Sequence, residues 1–258
     1  MIELLEKYET GSSVSLREML ESQQISSNLE VPLGQDKNKK NHYLDFEKIP
    51  CLLITGETGS GKSVFLDSLI ISLLLRNSSN SLKFILIDPK KVELNYYRDL
   101  DYIIGDMLSE PKESNNALKV VKTEYETRKN NNEEFNSKLP CWFVIIDESC
   151  DLMKEKTSLN ILKSMIEDCD KFGIHFIIVT NTPYEDLFDK DFIESIETKI
   201  TFDLTSKAEA SWIGIRDSQD LLAPGEAIMR NKKEKLEIIT PYISDKEIKR
   251  VVNFIKEN

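Results

Sequence analysis

Glycine and proline are scarce in this chain, 9 and 8 among 258 residues, which excludes a collagen-like repeat or a low-complexity linker protein. Histidine is rarer still. His42 and His175 have no metal-type partner within a helical turn, and His175 opens a strand, so neither is assigned to chemistry. The four cysteines, Cys51, Cys141, Cys150 and Cys169, lie far apart with no zinc or redox spacing, and buried reduced thiols are expected. Long apolar runs are missing too: 69–71 and 73–75 are split by Ser72 and fall far short of the ~18 residues of a membrane span. The opening Met1-Ile2-Glu3-Leu4-Leu5-Glu6 is acidic where a secretory leader is basic, so a cytoplasmic location is expected. A basic surplus is also lacking. With 34 Lys and Arg against 45 Asp and Glu, the net charge of −11 argues against coating nucleic acid with the whole surface and leaves room for a local basic lining. Lysine clusters at Lys37, Lys39, Lys40 and at Lys232, Lys233, Lys235 read as solvated loops or turns.

Three of the few glycines fall in one octet. Gly56-Glu57-Thr58-Gly59-Ser60-Gly61-Lys62-Ser63 fits the phosphate-binding pattern G-x-x-x-x-G-K-[ST] without a mismatch. An apolar strand candidate, 51–55, precedes it, and a nearly all-apolar helix pattern, 64–75, follows it, which is the context this loop requires. In such a turn backbone N–H groups curl around a β-phosphate, Lys62 reaches the β/γ oxygens and the Ser63 hydroxyl holds Mg²⁺. An ATP-type nucleotide with Mg²⁺ is the expected ligand.

Short apolar runs at 51–55, 84–88, 142–147 and 175–180 alternate with helical patterns, which means an α/β fold with a mainly parallel central sheet flanked by helices. Runs 84–87 and 142–146 are apolar on both faces and read as central strands. Upstream, 1–48 reads as a small lead-in: two helical pieces, the second opened by the capping box Ser15-Leu16-Arg17-Glu18, then a hairpin. The core domain is 49–258. Within it, the asparagine-rich segment 129–138 reads as a long surface loop, and 227–229 and 236–239 as edge strands. A second capping box, Ser244-Asp245-Lys246-Glu247, opens a closing helix.

Phe143-Val144-Ile145-Ile146 delivers Asp147-Glu148 at a strand's C-terminal end, where parallel sheets bind ligands. Beside a P-loop, Asp147 would hold Mg²⁺ through water and Glu148 would position or deprotonate the water attacking the γ-phosphate. That second carboxylate suits a hydrolase better than a kinase. Asn181, ending the next strand, could touch the γ-phosphate or that water, or could equally form a turn before Thr182-Pro183.

These residues carry a resemblance. The chain resembles the motor domain of the FtsK/SpoIIIE family of DNA translocases in Ser15-Leu16-Arg17-Glu18-Met19-Leu20, Pro32-Leu33-Gly34-Gln35-Asp36, the P-loop with its flanks, Asp88-Pro89-Lys90-Lys91-Val92-Glu93-Leu94 with Tyr97, Asn116-Ala117-Leu118, Asp147-Glu148 with Asp151-Leu152-Met153, Gly173-Ile174-His175 and Leu221-Leu222-Ala223-Pro224-Gly225-Glu226-Ala227. The words keep family order over roughly residues 15 to 240. The resemblance implies a RecA-like P-loop NTPase that assembles as a homo-oligomeric ring, usually a hexamer, and moves double-stranded DNA by ATP hydrolysis, gripping phosphates independently of sequence. A membrane anchor and a sequence-reading winged-helix tail are not expected, so a bare motor serving a plasmid, conjugative element or phage, with partner proteins of that element, is the leading expectation. A type VII secretion-like module engaging protein substrates, and an ATP-binding ring scaffold, are the alternatives.

Two departures stand out. Asn181-Thr182-Pro183 replaces the family's Gln-Arg-Pro, and Lys199 stands where the family tends to carry an arginine. A trans-acting arginine spreads over a transferring phosphoryl group as lysine does not. Lys199 is therefore either a weakened trans-acting cation or an exposed strand lysine without a partner, with Arg216 and Arg230 as substitutes.

Overall fold

The computed structural model describes residues 1–7, 14–24, 26–135, 139–148, 152, 155–181, 189–204, 206–221 and 223–258. Cys150, Asp151, Met153, Thr182, Pro183 and Leu222, all named above, lie outside the described residues.

The apolar runs read from the sequence form β4 (Cys51–Thr55), β5 (Leu82–Ile87), β6 (Cys141–Ile146) and β7 (Ile174–Thr180). With β8 (Thr198–Thr201) they make the parallel core of the sheet, in the order β8-β4-β7-β6-β5. Every residue of β4 and β7 is buried, since helices cover both faces and neither side of such a strand meets water. On one face lie α1 (Leu16–Ser22), α2 (Lys62–Arg76) and α7 (Asp245–Glu257); their apolar side chains share a core with Leu52, Ile54, Phe143 and Ile145. On the other lie α3 (Pro111–Asn130), α4 (Lys156–Lys163), α5 (Lys190–Ser195) and α6 (Lys207–Ile213), packed on Leu53, Val144, Ile146 and Ile178. Adjacent residues of one strand enter opposite cores because side chains alternate along a strand.

Past β8 the sheet continues in antiparallel fashion through β9 (Glu226–Arg230), β10 (Lys235–Ile239), β2 (Glu30–Gln35) and β3 (Asn41–Asp45), nine strands among the described residues. The expectation that 227–229 and 236–239 are edge strands is corrected: β9 lies between β8 and β10, and β10 lies between β9 and β2. The lead-in hairpin β2–β3 covers their edge, a long-range pairing that no local pattern encodes. The outer strand is β3, which is short and half-polar as exposed edges tend to be. Correspondingly β5, read as central, ends the sheet order; bridges from Ile103 and Leu108 to Phe84 and Ile87 cover its outer side. Segment 129–138 is also corrected. Helix α3 runs to Asn130, and the Phe135 N–H donates to the Lys171 carbonyl at 2.5 Å, which ties this stretch down; residues 136–138 lie outside the described set.

His175 has the structural role expected of it. Fully buried beside Phe46 and stacked on Phe143 at 4.9 Å, it donates from Nδ1 to the Ile49 carbonyl, and burial pulls its pKa down to about 4. Cys51, Cys141 and Cys169 are buried free thiols. No helix among the described residues is long and apolar enough to cross a membrane.

Within the sheet the hairpin meets the core through one register pair, Ile239 with Gln35, and the close approach of Gly34, while Val31, Leu33 and Leu44 are buried in the core that α2 shares. A Cβ on Gly34, whose φ is +151°, would stand 2.4 Å from the Ile239 carbonyl oxygen, a backbone atom with nowhere to retreat. Gly34→Ala should lower unfolding stability by about 2 kcal/mol or more, read as a shifted urea midpoint.

Candidate functional site

The P-loop follows β4 in mid-sheet. Its turn is closed by backbone bonds from Ser60 N–H to the Glu57 carbonyl and from Glu57 N–H to the Asp203 carbonyl, so it leans on the chain leaving β8. Gly61 is its N-terminal hinge to α2, at φ +111°, and a Cβ there would lie 2.8 Å from the Gly225 nitrogen. That contact fixes the residue type. It lets the turn before β9 pack directly on the P-loop, where the Gly225 N–H donates to the Ser60 carbonyl at 2.9 Å. Gly56, Glu57, Thr58, Gly59, Ser60, Gly61, Lys62 and Ser63 thus form one loop at the start of a 15-residue helix, as the sequence indicated. Lys62 is 6% exposed and its Nζ donates to the Glu57 carbonyl; burial lowers its pKa, while Asp147, Glu148 and Glu57 pull it back up.

Asp88 builds the second wall. Fully buried at the end of β5, its Oδ1 accepts from the N–H groups of Lys90 and Lys91, and its Oδ2 from those of Val92 and Leu94. Four donors on one carboxylate wind 88–94 into a tight turn, with Lys91 at φ +54° and Leu94 buried as its anchor. The turn brings Lys90 and Glu93 to the cleft. Neither was assigned a role from the sequence, although both stand in the Asp-Pro-Lys-x-x-Glu-Leu word, which is where the signal lay.

At the end of β6 sit Asp147 and Glu148. Glu148 Oε1 accepts from Lys90 Nζ at 2.9 Å and from Asn181 Nδ2, which stands at the end of β7. The base candidate is thus held from both neighbouring strands, with its own backbone at φ +48°. Of the two readings open for Asn181, the structure shows its side chain turned to Glu148. Asp147 is different: it is 6% exposed, and its Oδ2 has no hydrogen-bond partner. Burial foremost, then the charges of Asp88, Glu93 and Glu148, push its pKa up to about 7. An orphaned, desolvated carboxylate opposite Lys62 and Ser63 fits a divalent cation. Among the described residues no cluster of three or more His, Cys, Asp or Glu could hold one alone, so the ion would rest on Asp147, Ser63 and phosphate oxygens, the habit of Mg²⁺.

Lys62, Ser63, Lys90, Asp147, Glu148 and Asn181 line one cavity of about 500 Å³, which is also walled by Pro224, Gly225 and the corner from Ile239 through Thr240 to β11 (Pro241–Tyr242). Lys199 is not among its lining residues. It sits half-buried on β8, opposite Leu53 on one side and Arg230 on the other, with its pKa lowered by burial and then by Arg230. The reading as an exposed strand lysine is corrected, since neighbouring strands flank it on both sides. Arg230 is exposed and donates to the Gly214 carbonyl, and Arg216 is exposed at the start of a short 3₁₀ turn.

A model of the FtsK/SpoIIIE family matches residues 15–138. The DNA translocase FtsK of Streptococcus pneumoniae is 30% identical over 274 residues that take in 95% of this chain and 36% of that protein; the one from Lactiplantibacillus plantarum is 32% identical over 275 residues, 95% and 34%. The chain is thus similar to the FtsK/SpoIIIE family, by its model over residues 15–138 and by these relatives over 95% of its length. It spans about a third of the length of these relatives. Among solved structures, the cytoplasmic domain of the Thermomonospora curvata Type VII Secretion ATPase EccC superposes with a TM-score of 0.77 at 19% identity, covering 95% of this chain and 34% of that one. The pCW3 conjugation coupling protein TcpA, with ATPγS, gives 0.71 at 20%, covering 90% and 71%. At these identities the structures establish the RecA-like P-loop fold, and the family word around Asp88 now has a physical meaning as the turn that delivers Lys90 to Glu148.

The raised pKa of Asp147 has a measurable consequence. The folded, nucleotide-free protein binds a proton near pH 7 that the unfolded chain releases near pH 4, so stability is highest below that window and falls as pH climbs through it. Asp67, buried on α2 against the Tyr97 hydroxyl and also raised to about 7, adds to the same slope. Asp147→Asn should therefore flatten the fall in part and leave the apo protein more stable at pH 8, by about 1 kcal/mol, in denaturation run from pH 5 to 8.

Proposed function

We propose that this chain is an ATP-hydrolysing motor that moves double-stranded DNA. The observation that carries the hydrolytic part is the placing of Glu148, held by Lys90 and Asn181 within the cavity that Lys62 and Ser63 line. Lys62 neutralises phosphate charge and the P-loop N–H groups enclose it. Mg²⁺, held by Ser63 and Asp147, would supply Lewis-acid neutralisation of phosphate charge. Glu148 orients a water and takes its proton, while Asn181 and Lys90 hold the carboxylate in place.

The DNA part rests on the family, whose curated members here are named DNA translocases, and on a conjugation coupling protein among the structural neighbours. An acidic chain suits such work in a ring because phosphate contacts are few per subunit and independent of sequence. The second reading, a protein-secretion motor, draws on the Type VII ATPases that share the fold. Double-stranded DNA separates the two: it should raise the ATPase rate several-fold, with a stimulation that fades as salt is raised, whereas an ATPase indifferent to DNA would favour the secretion reading.

Lys199, half-buried beside Arg230 with Glu194 as the nearby negative charge, takes the role of trans-acting cation in this proposal, meeting a phosphate that another copy supplies. Lys199→Ala should then lower DNA-stimulated turnover while leaving ATP affinity unchanged, and Lys199→Arg should raise that turnover.

Lys62→Ala should abolish ATP binding or turnover with the fold intact by circular dichroism. Glu148→Gln should keep ATP affinity within a few-fold and cut hydrolysis on the order of a hundredfold or more, so that the variant holds unhydrolysed ATP. Parental turnover in Glu148→Gln would remove Glu148 from the role of base.

A further inference from the structure

Among its described lining residues the nucleotide cavity holds two cations, Lys62 and Lys90, against three carboxylates, Glu93, Asp147 and Glu148. Lys62 is accounted for by the P-loop. The far wall adds no charge, since it is made by Pro224, Gly225 and by Pro241 and Tyr242 of β11, a strand paired in parallel with β1 (Val14–Ser15). A magnesium complex of ATP carries one more negative charge than that of ADP, and the extra charge lies on the terminal phosphate. Among surplus carboxylates that charge is repelled unless a cation meets it.

Lys90 is placed to be that cation. Its backbone is fixed, because the Asp88 carboxylate accepts from its N–H at 3.0 Å and from the Lys91 N–H at 2.9 Å. Its side chain is 61% exposed and gives a bond from Nζ to Glu148 Oε1 at 2.9 Å. An ammonium has three N–H donors, so two are left over. The hydrogen bond to Glu148 pushes the Lys90 pKa up and keeps the group charged. A water oriented by Glu148 lies within hydrogen-bond reach of the carboxylate and close to the phosphorus it attacks, which puts that phosphorus about 6 Å from the carboxylate. Nζ, already at 2.9 Å from Oε1, meets a γ-phosphate oxygen by rotation of its last side-chain bonds. So exposed an ion pair resists this turn little.

We propose that Lys90 contacts the terminal phosphate of the bound triphosphate, bridges it to Glu148, and so distinguishes ATP from ADP. The proposal rests on the nucleotide reading of the cavity and adds to it a residue that senses the last phosphate. Lys62 reaches the phosphates from the P-loop side, whereas Lys90 approaches from the side of the attacking water, where charge spreads over the equatorial oxygens in the transition state. With ADP the Lys90 ammonium stays on Glu148 alone. With ATP one of its spare donors is used as well.

Calorimetric titration with Mg²⁺ complexes of ADP and of the β,γ-imido analogue of ATP tests this without reference to turnover. The proteins are the parent, Lys90→Met, Lys90→Arg, Glu148→Gln, Lys90→Met combined with Glu148→Gln, and Lys62→Ala. Lys90→Met keeps the side chain's length without its charge, and it should weaken the analogue about ten- to a hundredfold while leaving ADP within about threefold. Lys90→Arg should keep the parental ratio of the two affinities. The same loss should follow Lys90→Met in the Glu148→Gln background, where no unpaired carboxylate is left to repel the phosphate. A loss seen only with Glu148 present overturns the proposal and makes Lys90 a positioning residue for Glu148; an equal loss for both ligands, or none, overturns it too. A parent that binds neither ligand, or a Lys62→Ala that binds both as the parent does, would instead overturn the nucleotide reading beneath it.

Discussion

A carboxylate kept from water with no donor on its buried oxygen is the feature from which the rest of the cleft follows. Asp147 shares its corner with Asp88, Glu93 and Glu148, and the chain's answer is partial. Asp88 is satisfied by four backbone N–H groups and Glu148 by Lys90 and Asn181, but the Oδ2 of Asp147 is left over. Desolvating a charge without pairing it is among the larger penalties a fold can carry, and it is tolerated where a ligand arrives to complete the pairing. The nine-stranded sheet, with two apolar layers packed on it, gives that penalty a rigid frame in which it cannot relax.

Much of this was legible from the chain alone, and for identifiable reasons. The P-loop could be read because its glycines are rare elsewhere and its chemistry is local: strand, turn and helix are consecutive. Asp147 and Glu148 could be read because a parallel strand delivers its last residues to the ligand edge. The wall formed by Pro224, Gly225 and the 239–242 corner could not, since it reaches the P-loop only through the Gly61–Gly225 approach, a contact between segments far apart in sequence. The hairpin's place beside β10 was hidden for the same reason. Lys90 was the nearer miss: its residue word was recognised, but its meaning depends on Asp88 folding the turn back toward the next strand.

The departures from the family have physical readings as well. Asn181 in place of the family's glutamine gives a shorter side chain, and it is engaged on Glu148 within the cavity. Lysine at position 199 keeps the charge of an arginine but not its planar fork, and its half-burial next to Arg230 leaves two cations side by side on adjacent strands. Like charges so placed repel each other, and the arrangement becomes favourable when an anion sits between or beside them.

The single register pair between β2 and β10 matters for how the molecule bears load. Five parallel strands, each joined to its neighbours by several ladder bonds, behave as a stiff plate, and β8 to β10 extend it with long pairings of their own. Within the sheet the joint to the N-terminal hairpin has one pair and a glycine contact, and the rest of its hold is packing, with Val31 and Leu33 buried in the core that α2 shares and Arg76 donating to the Glu30 carbonyl. Shear between hairpin and plate therefore meets few ladder bonds and is borne by side chains on α2, the helix that the P-loop opens. Ile239, the one residue of β10 paired with the hairpin, also lines the P-loop cavity, so a slip at this seam would move the wall of the cleft itself.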